Sequence, residues 1–168
     1  EAEVARDVTA IQAAGKAIGL ELNAKKCEFI SSDTLSTEPV FRDFVHVDVA
    51  GATLLGAPLT AGTAMDSALE SRCSELARAA GRLKLIAAHD ALILLRASFS
   101  APKLMHTLRS APCAGHPALE KFDNLQRDCV SSITNTDLSD LQWIHASLPV
   151  KSGGLGIRRV ASLAPSAF

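Results

Sequence analysis

Along residues 2–18 the apolar positions fall at Val4, Val8, Ile11 and Ile18, with Ala14 completing the stripe, while Arg6, Asp7 and Lys16 lie off it. That spacing predicts an amphipathic helix, and Gly19 supplies a stop of the usual kind. A polar corner follows, Asn23 with Lys25 and Lys26, and then a short apolar run at 27–30 that reads as a strand. Ser31, Ser32 and Asp33 end it, and a polar loop runs to Pro39. Residues 44–49 are β-rich, Ala50-Gly51 reads as a hairpin turn, and 52–59 reads as the return arm.

Beyond Pro58 the period lengthens. Met65, Leu69, Cys73, Leu76, Ala80, Leu83 and Ala87 recur at steps of four and three, tracing one stripe of an amphipathic helix. Glu75, Arg78 and Arg82 project from its other face, and Gly81 weakens it by about 1 kcal/mol relative to alanine. Asp90 is a good N-cap for the next segment. Residues 91–111 are apolar nearly all round, which predicts a buried helix kinked or restarted at Pro102. Pro117 opens a further helix, with the stripe Leu119, Phe122, Gln126, Cys129 and Ile133, closed by Asn135-Thr136-Asp137. A short helix at 140–146 carries Trp143. The chain closes on a Pro turn and a Gly-rich turn, Leu148-Pro149 and Gly153-Gly154-Leu155-Gly156.

With 168 residues there is room for one domain or two small subdomains. The 48% apolar and 21% charged composition is that of a folded protein, with an aliphatic core because only 4% is aromatic. A net charge of −1 hides an uneven distribution. Residues 1–71 hold 5 basic and 11 acidic side chains, residues 72–109 hold 7 and 2, and the remainder holds 5 of each. The basic middle third is either a phosphate-facing surface or a solvated helix face. Cys27, Cys73, Cys113 and Cys129 are widely spaced and read as reduced core thiols of an intracellular protein, nuclear or cytoplasmic. No signal peptide or membrane-spanning run is visible. The chain starts inside a helical pattern and stops inside another, which reads as a piece of a longer protein.

Four stretches together carry a resemblance. Gly19-Leu20-x-x-Asn23-x-x-Lys26 is similar to the fourth palm motif of reverse transcriptases from non-LTR (LINE-type) retrotransposons. Leu55-Gly56 is similar to the Leu-Gly pair of their primer-grip hairpin, although Leu54 stands where the family commonly has an aromatic residue. A helical stretch follows, as the family's thumb does. Leu148-Pro149 with Gly153-Gly154-Leu155-Gly156-Ile157 resembles the segment after the thumb, with Trp143 upstream of it. The resemblance implies an α+β, mostly helical fold, with a small antiparallel β element at the palm edge followed by a helical thumb. It divides the chain into the C-terminal part of a palm with the primer grip (1–61), a thumb (62–147) and the start of a post-thumb segment (148–168).

What it implies for function is an RNA-directed DNA polymerase acting on an RNA template and a DNA primer, with Mg2+ in the intact enzyme and no membrane partner. The family's metal ligands include two adjacent aspartates. Here ten aspartates are present and no two adjoin, so the fragment is expected to be inactive alone, with the rest of the palm and the fingers missing. Lys26 matches the family lysine thought to protonate the leaving pyrophosphate in the intact enzyme, with Lys25 as an equal neighbour and a plain surface lysine as the other reading. Arg78, Arg82, Arg96, Lys103 and Arg109 are the candidate phosphate contacts; the equal alternative for Arg78 and Arg82 is pairing with Glu75 on the helix surface. No metal site is expected: Cys113 and His116 have no zinc-type spacing, and His116 is read as the cap of the helix from Pro117. Gly153–Gly156 lacks the Gly-Lys-Ser/Thr ending of a phosphate loop and is read as a turn. The alternatives are a domesticated, non-enzymatic helical module that binds nucleic acid or protein, and a degenerate element copy.

Overall fold

Helix α1 spans Ala2–Ala17, and its end is built as the glycine at position 19 predicts. Gly19 takes φ 81°, its N–H donates to the carbonyl of Lys16, and the N–H of Leu20 reaches back to Gly15. That reciprocal pair closes the orphan carbonyls of the last turn. The predicted stripe is not covered, however. Val4, Ile11 and Ile18 are 53%, 63% and 75% exposed, and Ala5 is the residue that α1 buries. Within its own unit the helix rests on the 3-10 turn Pro39–Phe41, which contacts one narrow strip of its surface.

The structure is a computed structural model that describes residues 1–32 and 38–168, and it divides into two compact units, Glu1–Ala52 and Thr53–Phe168. Residues 33–37 of the expected polar loop lie outside the described residues. In the first unit the lysine corner is a 3-10 turn, Ala24–Lys26, leading into β1 (Glu28–Ile30). β1 pairs in parallel with β2 (Val45–Val47), Phe29 opposite His46. Phe29 stacks on the buried Phe41 at 4.7 Å between centroids, and Phe44 meets Phe41 edge-on at 5.5 Å.

The hairpin turn expected at Ala50-Gly51 does not form. The Asp48 carboxylate accepts the Ala50 N–H at 2.8 Å, and the backbone of Gly51 donates to the Asp48 carbonyl. This side-chain bond winds Val49–Gly51 into a 3-10 turn and frees β2 to pair with β1. The hairpin turn sits five residues later, in the second unit, where β3 (Thr53–Leu54) pairs antiparallel with β4 (Ala57–Pro58). Its two-residue turn is Leu55-Gly56, with φ of 51° and 79°, the double positive φ that a tight hairpin needs.

The second unit is helical after that hairpin: α2 (Thr63–Leu83), α3 (Ala88–Leu94), a π-helical turn (Leu95–Phe99), α4 (Ala101–Ser110), α5 (Pro117–Thr134), α6 (Asp140–Ser147) and α7 (Val160–Ala167). The protein is thus α+β and mostly helical. The core is the aliphatic one that the composition requires: Met65, Leu69, Cys73 and Leu76 of α2 face Leu119, Phe122 and Cys129 of α5. On α2, Ala79 is buried in place of the expected Ala80, which is partly covered. The α2–α5 packing is fastened at the start of both helices. His116 caps α5, its Nδ1 accepting the Ala118 N–H, while Nε2 donates to Asp66 at 2.8 Å.

Asp90 is not a cap; Ala87 holds that position and Asp90 falls in the first turn of α3, where its charge favours the N-terminal end of the helix dipole. Nor is 91–111 buried all round. Ala91, Leu95, Leu104 and Leu108 face the core, whereas Ile93 and Leu94 are each 41% exposed. The chain breaks at Ser100 and restarts at Ala101, with Pro102 in the first turn of α4, the position where a missing N–H costs least.

The C-terminal segment is locked to the helices by two devices, one long-range and one local. The carboxylate of Asp123, 2% exposed on α5, accepts the N–H groups of Val160 at 2.7 Å and Ala161 at 3.1 Å. It thereby caps α7 across 37 residues and also accepts the Gln126 amide. Burial pushes its carboxyl up from the usual range, against the two amides and the Arg159 charge that pull it down. The second device is Gly154, where a Cβ would sit 2.1 Å from the Leu148 carbonyl oxygen. Gly154→Ala is therefore expected to destabilise the second unit by at least about 2 kcal/mol. Gly81→Ala, with nothing within 4 Å of the added methyl, should stabilise it by about 0.5–1 kcal/mol. Thermal melts followed by circular dichroism would separate the two; equal melting temperatures would contradict the packing described.

Candidate nucleic-acid groove

α2 carries Arg78 and Arg82 one turn apart on the side opposite Met65 and Leu69, as a four-residue step on a helix dictates. Facing them is the π-helical turn, closed by the Ser100 N–H donating to the Leu95 carbonyl at 2.9 Å. A π turn takes one more residue than an α turn and is often retained where a side chain must be re-aimed. Here it brings Phe99 and, through the restart at Ala101, Lys103 to the same groove. The cavity measures about 460 Å³; Arg78, Arg82 and Lys103 line it, over an apolar floor of Leu83, Ile86, Leu94 and Phe99.

Glu75 is the groove's acid, and its partners decide which cations are left for a ligand. Arg72 Nη1 donates to its Oε1 at 2.7 Å and Lys103 Nζ stands 3.3 Å from its Oε2. Burial by itself would raise the Glu75 carboxyl, yet the hydrogen bonds and charges of Arg72 and Lys103 outweigh it and hold the group below its ordinary value. The pairing of Arg78 or Arg82 with Glu75, open on sequence grounds, is thus taken by other residues. Among the described residues, Arg78 and Arg82 have no ion-pair partner.

The other candidates scatter. Arg96 packs its aliphatic stem beside the Gly-rich turn, since a Cβ on Gly156 would meet its Cδ at 3.0 Å; this makes it a packing partner of the C-terminal segment. Arg109 is exposed in the last turn of α4. Lys26 and Lys25 are exposed on the 3-10 turn of the first unit. Leu55 is 89% exposed at the hairpin tip in the left-handed region, a conformation that costs a bulky residue roughly 1–2 kcal/mol. The imidazole Nε2 of His106 on α4 donates to the Leu55 carbonyl at 3.2 Å, and β4 packs on α2 and α4. Gly56 has open space around it; its role is the positive φ of the hairpin turn.

The Gly-rich stretch is a turn. The N–H groups of Gly153, Gly154, Leu155 and Gly156 donate to the carbonyls of Val150, Pro149, Ala146 and Leu148, so none is turned to a phosphate. Among the described residues, no three His, Cys, Asp or Glu side chains gather where they could hold a metal ion, and no helix is long and apolar enough to cross a membrane. Cys73, Cys113 and Cys129 are buried, and burial raises each thiol, Cys129 to about 11.

Sequence reasoning missed three contributors: Asp123, a charged residue beside the α5 stripe; His106, whose partner lies 51 residues away; and Phe99, which periodicity assigned to the core. A carboxylate flanked by Phe122 and three residues before Gln126 was a visible signal for the first. The others had none.

No protein-family model, curated protein or solved structure matches the chain.

Because the folded-state pKa of Glu75 lies below its ordinary 4.5, its ion pairs contribute stability that is fully present above that value and lost as pH falls through the folded pKa. Wild type should therefore exceed Glu75→Gln in urea stability near neutral pH, and the gap should close below pH 4.5. A gap that stays constant through the acid range would show that the Arg72 and Lys103 contacts do not act through charge.

Proposed function

We propose that the second unit is a nucleic-acid-binding thumb, and that the chain is part of an RNA-directed DNA polymerase of a non-LTR retrotransposon that contributes primer–template binding. The observation that carries this reading is the groove whose rim holds Arg78 and Arg82 without a carboxylate partner among the described residues. Two cations one helical turn apart suit successive phosphates of a nucleic-acid strand, and contacts of that kind are independent of sequence and sensitive to salt. The hairpin adds support. Its strained tip presents Leu55 outward from the same body that holds the groove, as a grip on a primer end requires, and strain retained at an exposed apolar residue points to a contact made with something else.

The chain's own carboxylates do not fit the Mg2+ centre of the parent enzyme, since no adjacent pair exists and none cluster among the described residues. On this reading the chain has no polymerase activity by itself, and Lys26 acts as a proton donor to pyrophosphate in the intact enzyme alone.

A labelled RNA-template/DNA-primer duplex with an unpaired template overhang, titrated with the 168-residue chain in a fluorescence anisotropy assay, tests the proposal. Combined Arg78→Gln and Arg82→Gln should weaken binding about tenfold or more and reduce the slope of log affinity against log salt by about two. Undiminished binding by the double variant would remove the groove from the account.

A further inference from the structure

We propose that the groove between α2 and the π-helical turn takes an unpaired, single-stranded segment of nucleic acid, its base set against the apolar floor and its phosphates on Arg78 and Arg82. This rests on the nucleic-acid reading of the same groove and goes further by naming the form of the ligand. The rim alone does not distinguish paired from unpaired strands, because both carry phosphates. The floor does. Ile86 and Leu94 are 44% and 41% exposed there, beside the half-buried ring of Phe99.

A duplex presents its sugar–phosphate edge to a protein and keeps its base faces stacked inside, so docking it here would leave those apolar side chains against a charged backbone. An unpaired strand has base faces to offer. Apolar and aromatic side chains beneath a track of cations are how single strands are held without regard to sequence. The size agrees as well: about 460 Å³ falls within the range of cavities that enclose small organic ligands, far more than a phosphate contact uses.

Charge selects the same occupant. Glu75 stands at the Lys103 side of the groove with its charge engaged by Arg72 and Lys103. The uncompensated positive charge therefore lies on the α2 rim, and the apolar surface lies across from it on Leu94 and Phe99. Anion on one side and apolar face on the other is the arrangement of a nucleotide whose base has left its stack.

The test compares a labelled oligo-dT strand with a blunt duplex of equal length, each titrated with the full 168-residue chain at low salt. The strand should bind at least about tenfold more tightly than the duplex. Ile86→Ser and Leu94→Ser, at exposed positions, should lower strand affinity several-fold and leave duplex affinity unchanged, with the fold checked by circular dichroism. Arg78→Gln with Arg82→Gln should weaken both. A duplex that binds as tightly as the strand, or serine variants that bind the strand like wild type, would overturn this inference while the nucleic-acid reading survives through the arginine variants. Failure of both oligonucleotides to bind would overturn the two together and leave the apolar floor to a protein partner.

Discussion

A single buried carboxylate ties the second unit together. Asp123 sits on α5, the helix that packs against α2, and holds both leading amides of α7, which in turn packs against α4 and α5. A charged group so deep in an aliphatic core is stable there because its oxygens accept three N–H donors. Without it, the N-terminal amides of α7 would be buried without acceptors and the α4 flank would lose a neighbour. α4 carries Lys103 to the groove and His106 to the hairpin, so this one capping interaction supports both features on which the functional reading depends.

The groove itself arises from a contest among ion pairs. Seven basic residues and two acidic ones occupy 72–109, and the one acid at the groove is claimed by Arg72 and Lys103. What remains at the groove is a pair of arginines, Arg78 and Arg82, with nothing to neutralise them among the described residues. Such surplus is small in energetic terms for the fold, since exposed ion pairs contribute little, but it is decisive for what the surface attracts. The π-helical turn completes the arrangement by turning Phe99 toward those arginines.

Much of the helical architecture was legible in the sequence because a buried face imposes its period on the residues that form it. The Met65–Leu69–Cys73–Leu76 steps and the Leu119–Phe122–Gln126–Cys129 steps mark the two helices that make the core, and Gly19, His116 and Asn135 mark ends that the backbone uses. The hairpin was misplaced for a local reason: Asp48 hydrogen-bonds its own neighbour and turns the chain early, and the true tip asks a leucine to adopt a conformation that propensity assigns to glycine or asparagine. The stripe on α1 was read correctly as a pattern, yet Val4, Ile11 and Ile18 stand exposed, since periodicity says which residues share a face and not what covers it. The site was legible in part. Clustering of basic residues pointed to Arg78, Arg82 and Lys103, whereas their sorting into paired and unpaired cations depends on a contact between Glu75 and Lys103, 28 positions apart, that no local pattern encodes.

The central claim, that the C-terminal segment, helices and hairpin of the second unit form one body through Asp123, is tested most directly by native-state hydrogen exchange at the amides of Val160 and Ala161. Both lie in the first turn of α7, where a helix supplies no acceptor of its own, so their protection reports the carboxylate. The account predicts that they exchange with the same free energy as the core amides of Phe122 and Val130, and that Asp123→Ala moves them to the rate of a fraying helix end. Fast exchange of these amides in the wild-type chain, or identical exchange in the two proteins, would contradict it.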